Sequence, residues 1–146
     1  MVVDEIRNKL NWLEGQLRQA LSGKKAAERE RDESGRLVDV FRRMKREKED
    51  MIYEAYQKME RGLEQIKGSH FKKVYHERMR NILFGSRMQS ALQCYEDGIS
   101  NAQRNYAEAE DSINTYAQRI RQLEDEISYN RAQMIKAEEE SKNGGQ

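Results

Sequence analysis

The chain has 146 residues, of which 36% are charged and 36% hydrophobic, and it contains no proline. A globular domain usually has a larger apolar fraction and a few prolines, so this composition is typical of long amphipathic helices with a thin core. No segment approaches the run of about eighteen apolar residues that predicts a membrane-spanning helix. The first residues lack the features of a secretory signal peptide. We therefore expect a cytoplasmic protein, or one that is exported together with a partner.

The first part of the chain has the pattern of a long helix with one apolar seam. Two interleaved series of mostly apolar residues, each with a spacing of seven, start at Ile6 and Leu10. Such a heptad pattern predicts a helix whose seam must be covered by another helix. Polar seam residues occur close to Gly23 and Gly35, and glycine weakens a helix interior. We expect a bend or local fraying near residues 22–36.

Several apolar residues of this first arm lie beside the seam and widen its apolar surface. A single partner arm cannot cover the wider stripe, whereas additional helices could complete a bundle. We therefore predict that these residues bind a partner. They are Trp12, Leu21, Leu37, Val40, Met44, Met51, Tyr53, Tyr56 and Leu63.

The turn between the two arms is predicted at residues 67–70. Gly68 suits the left-handed C-cap of one helix, and Ser69 suits the N-cap of the next. His70 and Phe71 complete this turn segment. A second break at 84–86 is the alternative, but a turn at 67–70 gives arms of nearly equal length. We therefore expect only a kink at 84–86.

The second arm has the purest repeat of the sequence, between Leu92 and Met134. Steps of alternating three and four residues meet an apolar or aromatic side chain at every position except Asn130. This spacing predicts one narrow seam along a long helix. The positions are Leu92, Tyr95, Ile99, Ala102, Tyr106, Ala109, Ile113, Tyr116, Ile120, Leu123, Ile127, Asn130 and Met134.

Together the two arms predict an all-α fold, a long antiparallel helical hairpin of the coiled-coil type. We expect a partner or a second copy to complete it to a helical bundle. In this hairpin the numbers of two facing residues add up to about 137, so that Leu10 faces Ile127. The predicted organisation is one domain at 1–140, with arm one at 3–66, the turn at 67–70, arm two at 71–140, and a disordered tail at 141–146.

We found no pattern that predicts catalysis, a metal site or a cofactor. His70 and His76 lie six residues apart, on different helix faces, and no cysteine cluster accompanies them. The glycines occur singly, without a phosphate-binding loop. The lone Cys94 has no partner for an internal disulfide. We therefore expect neither an enzyme nor a cofactor-binding protein.

Charge is distributed unevenly along the chain. Residues 61–90 carry seven basic and two acidic side chains, whereas residues 91–140 carry five basic and eleven acidic ones. The basic run at 42–48 is the best candidate for binding nucleic acid. Acidic residues follow it immediately, and the pI of 7.8 is not that of a typical nucleic-acid binder. We expect this run to be a solvated face that pairs with the acidic second arm.

The arrangement of two long helices joined by a small turn resembles a known group of bacterial proteins. The segment Lys67-Gly68-Ser69-His70-Phe71 and the run Leu92–Glu126, with its Ile-Arg-Gln-Leu-Glu-Asp-Glu-Ile stretch, carry the likeness. They resemble the small α-helical partners of LXG-domain toxins of the type VII (Esx) secretion system, which are similar in architecture to the WXG helical hairpins. The turn lacks the Trp-x-Gly of the WXG proteins, since the only tryptophan is Trp12.

This resemblance implies a non-enzymatic partner. Such a protein binds the helical N-terminal domain of the toxin, keeps it soluble and targets it to the secretion machinery. Tyr106 and Glu110 match the Tyr-x-x-x-Asp/Glu export pattern of that system. They lie inside the seam rather than after the hairpin, so the toxin or another small partner is an alternative source of the signal.

Two other hypotheses remain open from the sequence. The first is a structural or regulatory coiled coil of another export apparatus, such as a flagellar or type III stalk-like hairpin, or a self-associating scaffold. This hypothesis predicts a stable homodimer. The second is nucleic-acid binding through the basic run at 42–48, which would depend on Arg42, Arg43 and Arg46 and would be sensitive to salt.

Overall fold

Three helices account for nearly all of the chain in the computed structural model, which describes residues 2–144. α1 spans Val2–Glu64, α2 spans Ser69–Phe84 and α3 spans Ser86–Gly144. The prediction of an all-α fold is confirmed. Over the described residues, none of the helices has the combination of length and apolar character that crossing a membrane requires.

Internal contacts divide the chain into two units. The terminal unit contains the chain up to Asp32 and from Tyr106 onwards, and the central unit contains the residues between them. In both units a segment of α1 packs antiparallel to the returning part of the chain. The predicted antiparallel pairing of the two arms is therefore present in each unit, whereas the single domain at 1–140 stays a prediction.

The core of the terminal unit joins the start of α1 to the later part of α3. Leu13 and Leu123 are its most deeply buried side chains, each with 0% exposure. Leu10 shares this core with Ile127, as the predicted register requires. Every buried residue of α3, over its described length, is one of the predicted seam positions. At the surface of the same unit, Arg131 donates a hydrogen bond of 3.1 Å to Glu14.

Gly23 allows a close approach of α3 in the terminal unit. A Cβ atom at this position would lie 2.5 Å from two ring atoms of Tyr116. Such a distance is well inside van der Waals contact, so the missing side chain makes room for the ring. α1 stays helical through residues 22–36. The predicted local fraying is therefore wrong, whereas the alternative of a bend in this region stays a prediction.

The core of the central unit uses the same seam. Val38, Ile99 and Ala102 form a buried cluster, and Phe41 packs against it. The ring of Phe41 fits over Gly98, where an added Cβ would lie 3.2 Å from the ring atoms. A small residue on one helix thus accommodates a large residue on the other, as it does at Gly23 in the terminal unit.

The connection between α1 and α2 differs from the prediction in its capping. α1 ends two residues early, at Glu64, with hydrogen bonds from Gln65 N to Gly62 O (3.3 Å) and from Ile66 N to Leu63 O (3.1 Å). In each of these bonds an amide pairs with the carbonyl three residues before it. The bonds satisfy carbonyls at the end of α1 that a glycine C-cap motif would otherwise satisfy. Gly68 is therefore not a left-handed C-cap.

Gly68 caps the following helix instead. It has φ −92° and ψ 110°, and its carbonyl accepts a bond of 3.0 Å from Lys72 N. Ser69 is consequently the first residue of α2, not its N-cap, and no side chain caps this end. The irregular segment covers residues 65–68, where the sequence predicted 67–70, and the second arm begins at Ser69 rather than at residue 71.

A second interruption, at Gly85, separates α2 from α3 and lies inside the predicted kink at 84–86. Gly85 has φ −77° and ψ −178°, and its carbonyl accepts a bond of 3.0 Å from Gln89 N. An added Cβ would lie 2.0 Å from the carbonyl oxygen of Asn81. Because a backbone atom occupies that space, this geometry requires glycine.

The C-terminal tail is more ordered than the sequence predicted. α3 continues to Gly144, and Lys142 lies in its last turn, where a cation interacts favourably with the helix dipole. The predicted disorder at 141–146 is therefore wrong for residues 141–144. Residues 145 and 146 lie outside the described part of the chain.

Candidate helix-binding surface

The nine predicted partner-binding residues have three different environments. Trp12, Leu21, Leu37, Met44, Met51 and Tyr53 are exposed, Val40 and Tyr56 are half-buried, and Leu63 is buried. Trp12 and Leu21 belong to the terminal unit and the others to the central unit. Six of the nine side chains are thus well placed to meet a partner.

Leu63 was wrongly placed on the exposed flank. It is only 8% exposed, whereas Gly62, the expected seam position beside it, is exposed. The heptad series that starts at Leu10 is still buried at Ile52 and Met59. Gly62 has no side chain to pack at the seam, and Leu63, four residues after Met59, lies on the same side of the helix as that buried residue.

Tyr56 contributes to the internal packing of the central unit. Its ring meets Phe84 edge-on with 5.4 Å between ring centroids, and it meets His76 with 6.3 Å. The His76 Nε2 atom lies 3.0 Å from Glu60 Oε1. These contacts hold α2 against the end of α1, so Tyr56 is less available to a partner than the sequence suggested.

The exposed apolar residues of α1 in the central unit form a regular line. Leu37, Met44 and Met51 are spaced by seven residues and are 47%, 40% and 63% exposed. Val40 lies between the first two on the same side of the helix. We call these four residues the α1 stripe. It extends over about 21 Å at 1.5 Å per residue, which is the pattern of a second, uncovered seam beside the first.

A groove lies beside the α1 stripe, at the junction between α2 and α3. On the α1 side it is lined by Lys48, which lies between Met44 and Met51 in the sequence. Its remaining lining residues come from α2, α3 and their junction: Asn81, Ile82, Ser86, Arg87, Met88 and Ala91. The groove has a mixed apolar and basic lining that suits an amphipathic helix with acidic edges.

Ion pairs occupy the part of α1 that carries the basic run. Lys45 pairs with Glu96 of α3 and, at 3.5 Å, with Glu49. The hydrogen bond to Glu96 is the main reason why the pKa of Lys45 is raised. Arg43 lies 4.0 Å from Glu47. The expected pairing of this basic run with the second arm is thus present at Lys45.

The predicted turn residues lie at the start of α2. His70 and Phe71 are exposed in its first turn, and Phe71 stacks on Tyr75 with 6.0 Å between ring centroids. Over the described residues, no group of three histidine, cysteine, aspartate or glutamate side chains is arranged to hold a metal ion. The two aromatic residues are four positions apart, a spacing from which their contact could have been predicted.

Tyr106 and Glu110 lie one helical turn apart on α3, within the terminal unit. Tyr106 is 36% exposed, the most open of the predicted seam positions in the second arm. Glu110 is also exposed. Both side chains are therefore accessible, and their role as an export signal stays a prediction.

We expect Glu60 to make the stability of the central unit depend on pH. Hydrogen bonds from Tyr56 and then from His76 lower the pKa of the Glu60 carboxyl. A group with a lowered folded-state pKa stabilises the fold above its unfolded pKa, and this contribution disappears as the pH falls through the folded value. We expect Glu60→Gln to destabilise the protein at pH 7 and to have a smaller effect below about pH 4, since the unfolded pKa is about 4.3.

Urea unfolding of wild type and Glu60→Gln at pH 7 and pH 3 would measure this difference. Glu54→Gln, an exposed carboxylate of the same helix, is the matched control and should behave like the wild type at both values. A destabilisation by Glu60→Gln that is equally large at pH 3 would show that the carboxylate charge is not responsible.

The two units carry opposite net charges. The terminal unit has twelve basic and fifteen acidic residues, and the central unit has fifteen basic and eleven acidic ones. The expected neutralisation between the two arms is therefore incomplete, with an excess of −3 in the first unit and +4 in the second. This arrangement favours acidic partners for the central unit.

Comparison with known proteins gives no match from which a function could be assigned. The functional assignment therefore depends on the sequence and the geometry. The likeness to toxin partners depends on the residues around the turn and along α3, and it stays a prediction. The α1 stripe and its adjoining groove are the features from which a function can be argued. No family model matches the chain, and neither a curated protein nor a solved structure matches it.

Proposed function

We propose that this protein is a non-enzymatic helix-binding protein whose α1 stripe receives a helix of another chain. The exposure of Leu37, Met44 and Met51 at intervals of seven is the observation that carries this proposal. Apolar side chains repeated in this way pack into the holes of a facing helix. Methionine also adapts to partners of different shape, because its side chain is flexible and polarizable.

Burial of the stripe would supply a moderate part of the binding free energy. Complete burial of a leucine or methionine side chain contributes about 1.5–3 kcal/mol. The stripe residues are already about half covered, so each has about half of that contribution left to gain. The groove beside Lys48 and the positive charge of the central unit would add contacts for an amphipathic helix with acidic residues.

The helical N-terminal domain of an LXG-type toxin is the partner that we propose. The resemblance of the turn segment and of the α3 repeat to toxin-partner proteins supports this choice. In this role the protein would keep the toxin domain soluble and target it to the type VII secretion system. Export together with the toxin is part of the same proposal.

Co-expression with the neighbouring open reading frames tests the partner directly. We expect a stoichiometric complex with a protein that has a helical N-terminal domain, stable through size-exclusion chromatography. If none of the neighbouring products co-purifies, the toxin-partner assignment fails.

A self-associating scaffold, such as a stalk-like hairpin of another export apparatus, is the second candidate. The same α1 stripe favours it, since a two-fold axis would place the stripes of two copies against each other. Light scattering on the isolated chain separates the two proposals. A stable symmetric dimer with a buried stripe supports the scaffold, whereas a monomer that gains a partner on co-expression supports the toxin partner.

Substitution of the stripe should weaken partner binding. We expect Leu37→Ser/Met44→Ser/Met51→Ser to lower affinity at least about tenfold, which corresponds to about 1.4 kcal/mol. Isothermal titration or co-purification yield would measure the loss. Tyr53→Ser is the matched control, because Tyr53 is 62% exposed, against 63% for Met51, but lies about 200° around the helix from it.

The two variants are expected to differ in their effect on partner affinity. Tyr53→Ser should stay within about twofold of the wild type, since single exposed side chains outside an interface contribute little. If it weakens binding as much as the stripe variant does, the partner contacts the wider flank that the sequence predicted. Circular dichroism of both variants would verify that the helices remain intact.

A further inference from the structure

α2 presents an apolar face that the core of the central unit leaves uncovered. Phe71, Tyr75 and Ile82 are 59%, 41% and 62% exposed. Their spacings of four and seven residues place them on one side of the helix. The side of α2 that faces α1 holds the buried Leu83 and His76, which contacts Tyr56. We call the exposed side the α2 face.

The α2 face carries one basic side chain and lies in a segment of positive net charge. Arg78 is exposed and lies on the face itself, three residues after Tyr75 and four before Ile82. Lys72 lies beside the face, whereas Lys73 and Arg80 lie on the opposite side of α2. These three residues line a hollow that also contains Glu60, Glu64 and Glu77. Even with these acids counted, residues 58–87 carry eight basic and three acidic side chains. A clear positive excess therefore remains around the helix.

We propose that α2 docks onto the surface of an anionic lipid bilayer, with the α2 face inserted between the headgroups. A basic helix with an apolar face is suited to lie in the plane of the membrane interface. Anionic headgroups attract lysine and arginine, and the layer beneath them accepts apolar side chains. Aromatic residues such as Phe71 and Tyr75 add large apolar area, and tyrosine is favoured at this depth.

A bilayer fits the α2 face better than a second copy of the chain does. The acidic part of the protein, residues 91–140, would supply the opposite charge. Its large exposed apolar residues beyond the seam, Tyr129 and Ile135, lie six residues apart and thus on different sides of α3. The acidic arm of a second copy would therefore meet the charge of the α2 face but would leave its apolar residues without a matching stripe. The α1 stripe of a second copy is apolar, but it lies in the basic central unit and would bring like charges together.

The geometry of α2 suits this orientation. The helix has 16 residues, which gives a length of about 24 Å. The irregular segment at 65–68 precedes it, and the break at Gly85 follows it. The α2 face shares no residue with the α1 stripe, but its Ile82 also lines the groove beside Lys48. We therefore leave Ile82 unchanged in the test.

Vesicle flotation with the full chain tests the proposal. On vesicles with about 30% phosphatidylglycerol in phosphatidylcholine, we expect binding at least about tenfold stronger than on pure phosphatidylcholine. Raising the salt concentration from about 0.1 M to about 0.5 M should weaken it, since screening shortens the reach of surface charges. Equal binding to the two vesicle types, or none to either, would overturn the proposal.

Two matched variants separate insertion from simple charge attraction. Phe71→Ser/Tyr75→Ser keeps every charge of α2 but should lower binding to the anionic vesicles about tenfold. Met51→Ser/Tyr53→Ser removes apolar side chains that are 63% and 62% exposed on α1, and it should leave vesicle binding unchanged. If the first variant binds as the wild type does, the α2 face is not inserted and the proposal fails.

A fluorescent reporter adds a readout that does not depend on affinity. With Phe71→Trp in a Trp12→Phe background, the only tryptophan lies on the α2 face. Its emission should shift to the blue on anionic vesicles and remain unshifted with soluble polyglutamate. A shift with polyglutamate but none with vesicles would assign the face to an acidic protein and overturn the membrane proposal.

Discussion

Leu123→Ala is expected to lower the free energy of unfolding of the terminal unit by about 2–5 kcal/mol, the usual loss for a buried leucine. Leu123 and Leu13 are the two most deeply buried side chains, with 0% exposure each. Two packed helices bury few residues, and domains are marginally stable in general. A cavity at Leu123 therefore removes a large part of what holds α3 against α1.

Leu21→Ala is the control for this prediction. It makes the same chemical change on α1 in the same unit, but Leu21 is 43% exposed. We expect a loss below about 1 kcal/mol, because little transfer free energy and no cavity are involved. Chemical denaturation followed by circular dichroism gives both values. Similar losses for the two variants would mean that Leu123 does not pack as the structure places it.

Gly23→Ala should destabilise the terminal unit by about 1–3 kcal/mol, the range for overpacking, although alanine is normally the better helix former. The new methyl group would lie 2.5 Å from the ring of Tyr116. The ring must then move outward and lose its contact with the core cluster around Leu13 and Leu123. Thermal or urea unfolding would show the loss.

Two further variants test whether contact with the Tyr116 ring causes this loss of stability. Gly15 has no atom within 4 Å of an added Cβ, so Gly15→Ala should stabilise α1 by about 0.5–1 kcal/mol. In a Tyr116→Ala background, Gly23→Ala should become stabilising as well, since the obstacle is gone. If Gly23→Ala stabilises the wild type, the close packing of the ring is contradicted.

The second arm could be predicted well from its sequence because a strict repeat determines which side of a helix is buried. Ile99, Ala109 and Ile120 are buried as the pattern required. Even Asn130, the polar exception, is buried, and its side chain donates a bond of 2.7 Å to the Glu126 carbonyl. Its hydrogen-bonding need is met within its own helix, which explains how the seam tolerates it.

The ends of the helices were harder to predict than their seams. The pattern at Gly68 and Ser69 fitted a C-cap followed by an N-cap, but α1 closes with its own backbone bonds and Gly68 caps α2. These alternatives differ by one hydrogen bond each, so residue preferences alone do not separate them. The burial of Leu63 was missed because the strict repeat assigned the seam to Gly62, although Leu63 lies one helical turn after the buried Met59.

The candidate surface was predicted only in outline. Apolar residues beside the seam could be found in the sequence, and Leu37, Met44 and Met51 are indeed exposed. Which of these apolar residues lie in one line depends on the direction in which the seam faces along α1. The break at Gly85, which creates the groove beside Lys48 and sets α2 apart from α3, depends on the close approach to the Asn81 carbonyl. A single sequence gives no measure of such a distance.

The pairing in the terminal unit determines how the protein would respond to a pulling force. The first residues of α1 and the last described residues of α3 belong to this same unit, so traction on the two chain ends loads adjacent positions of one seam. Contacts would then open in succession, with Leu10 and Ile127 separating before Ala20 and Ile120. Such unzipping needs less force than shearing all contacts at once. A machine that pulls the two ends apart would therefore work against a few side chains at a time.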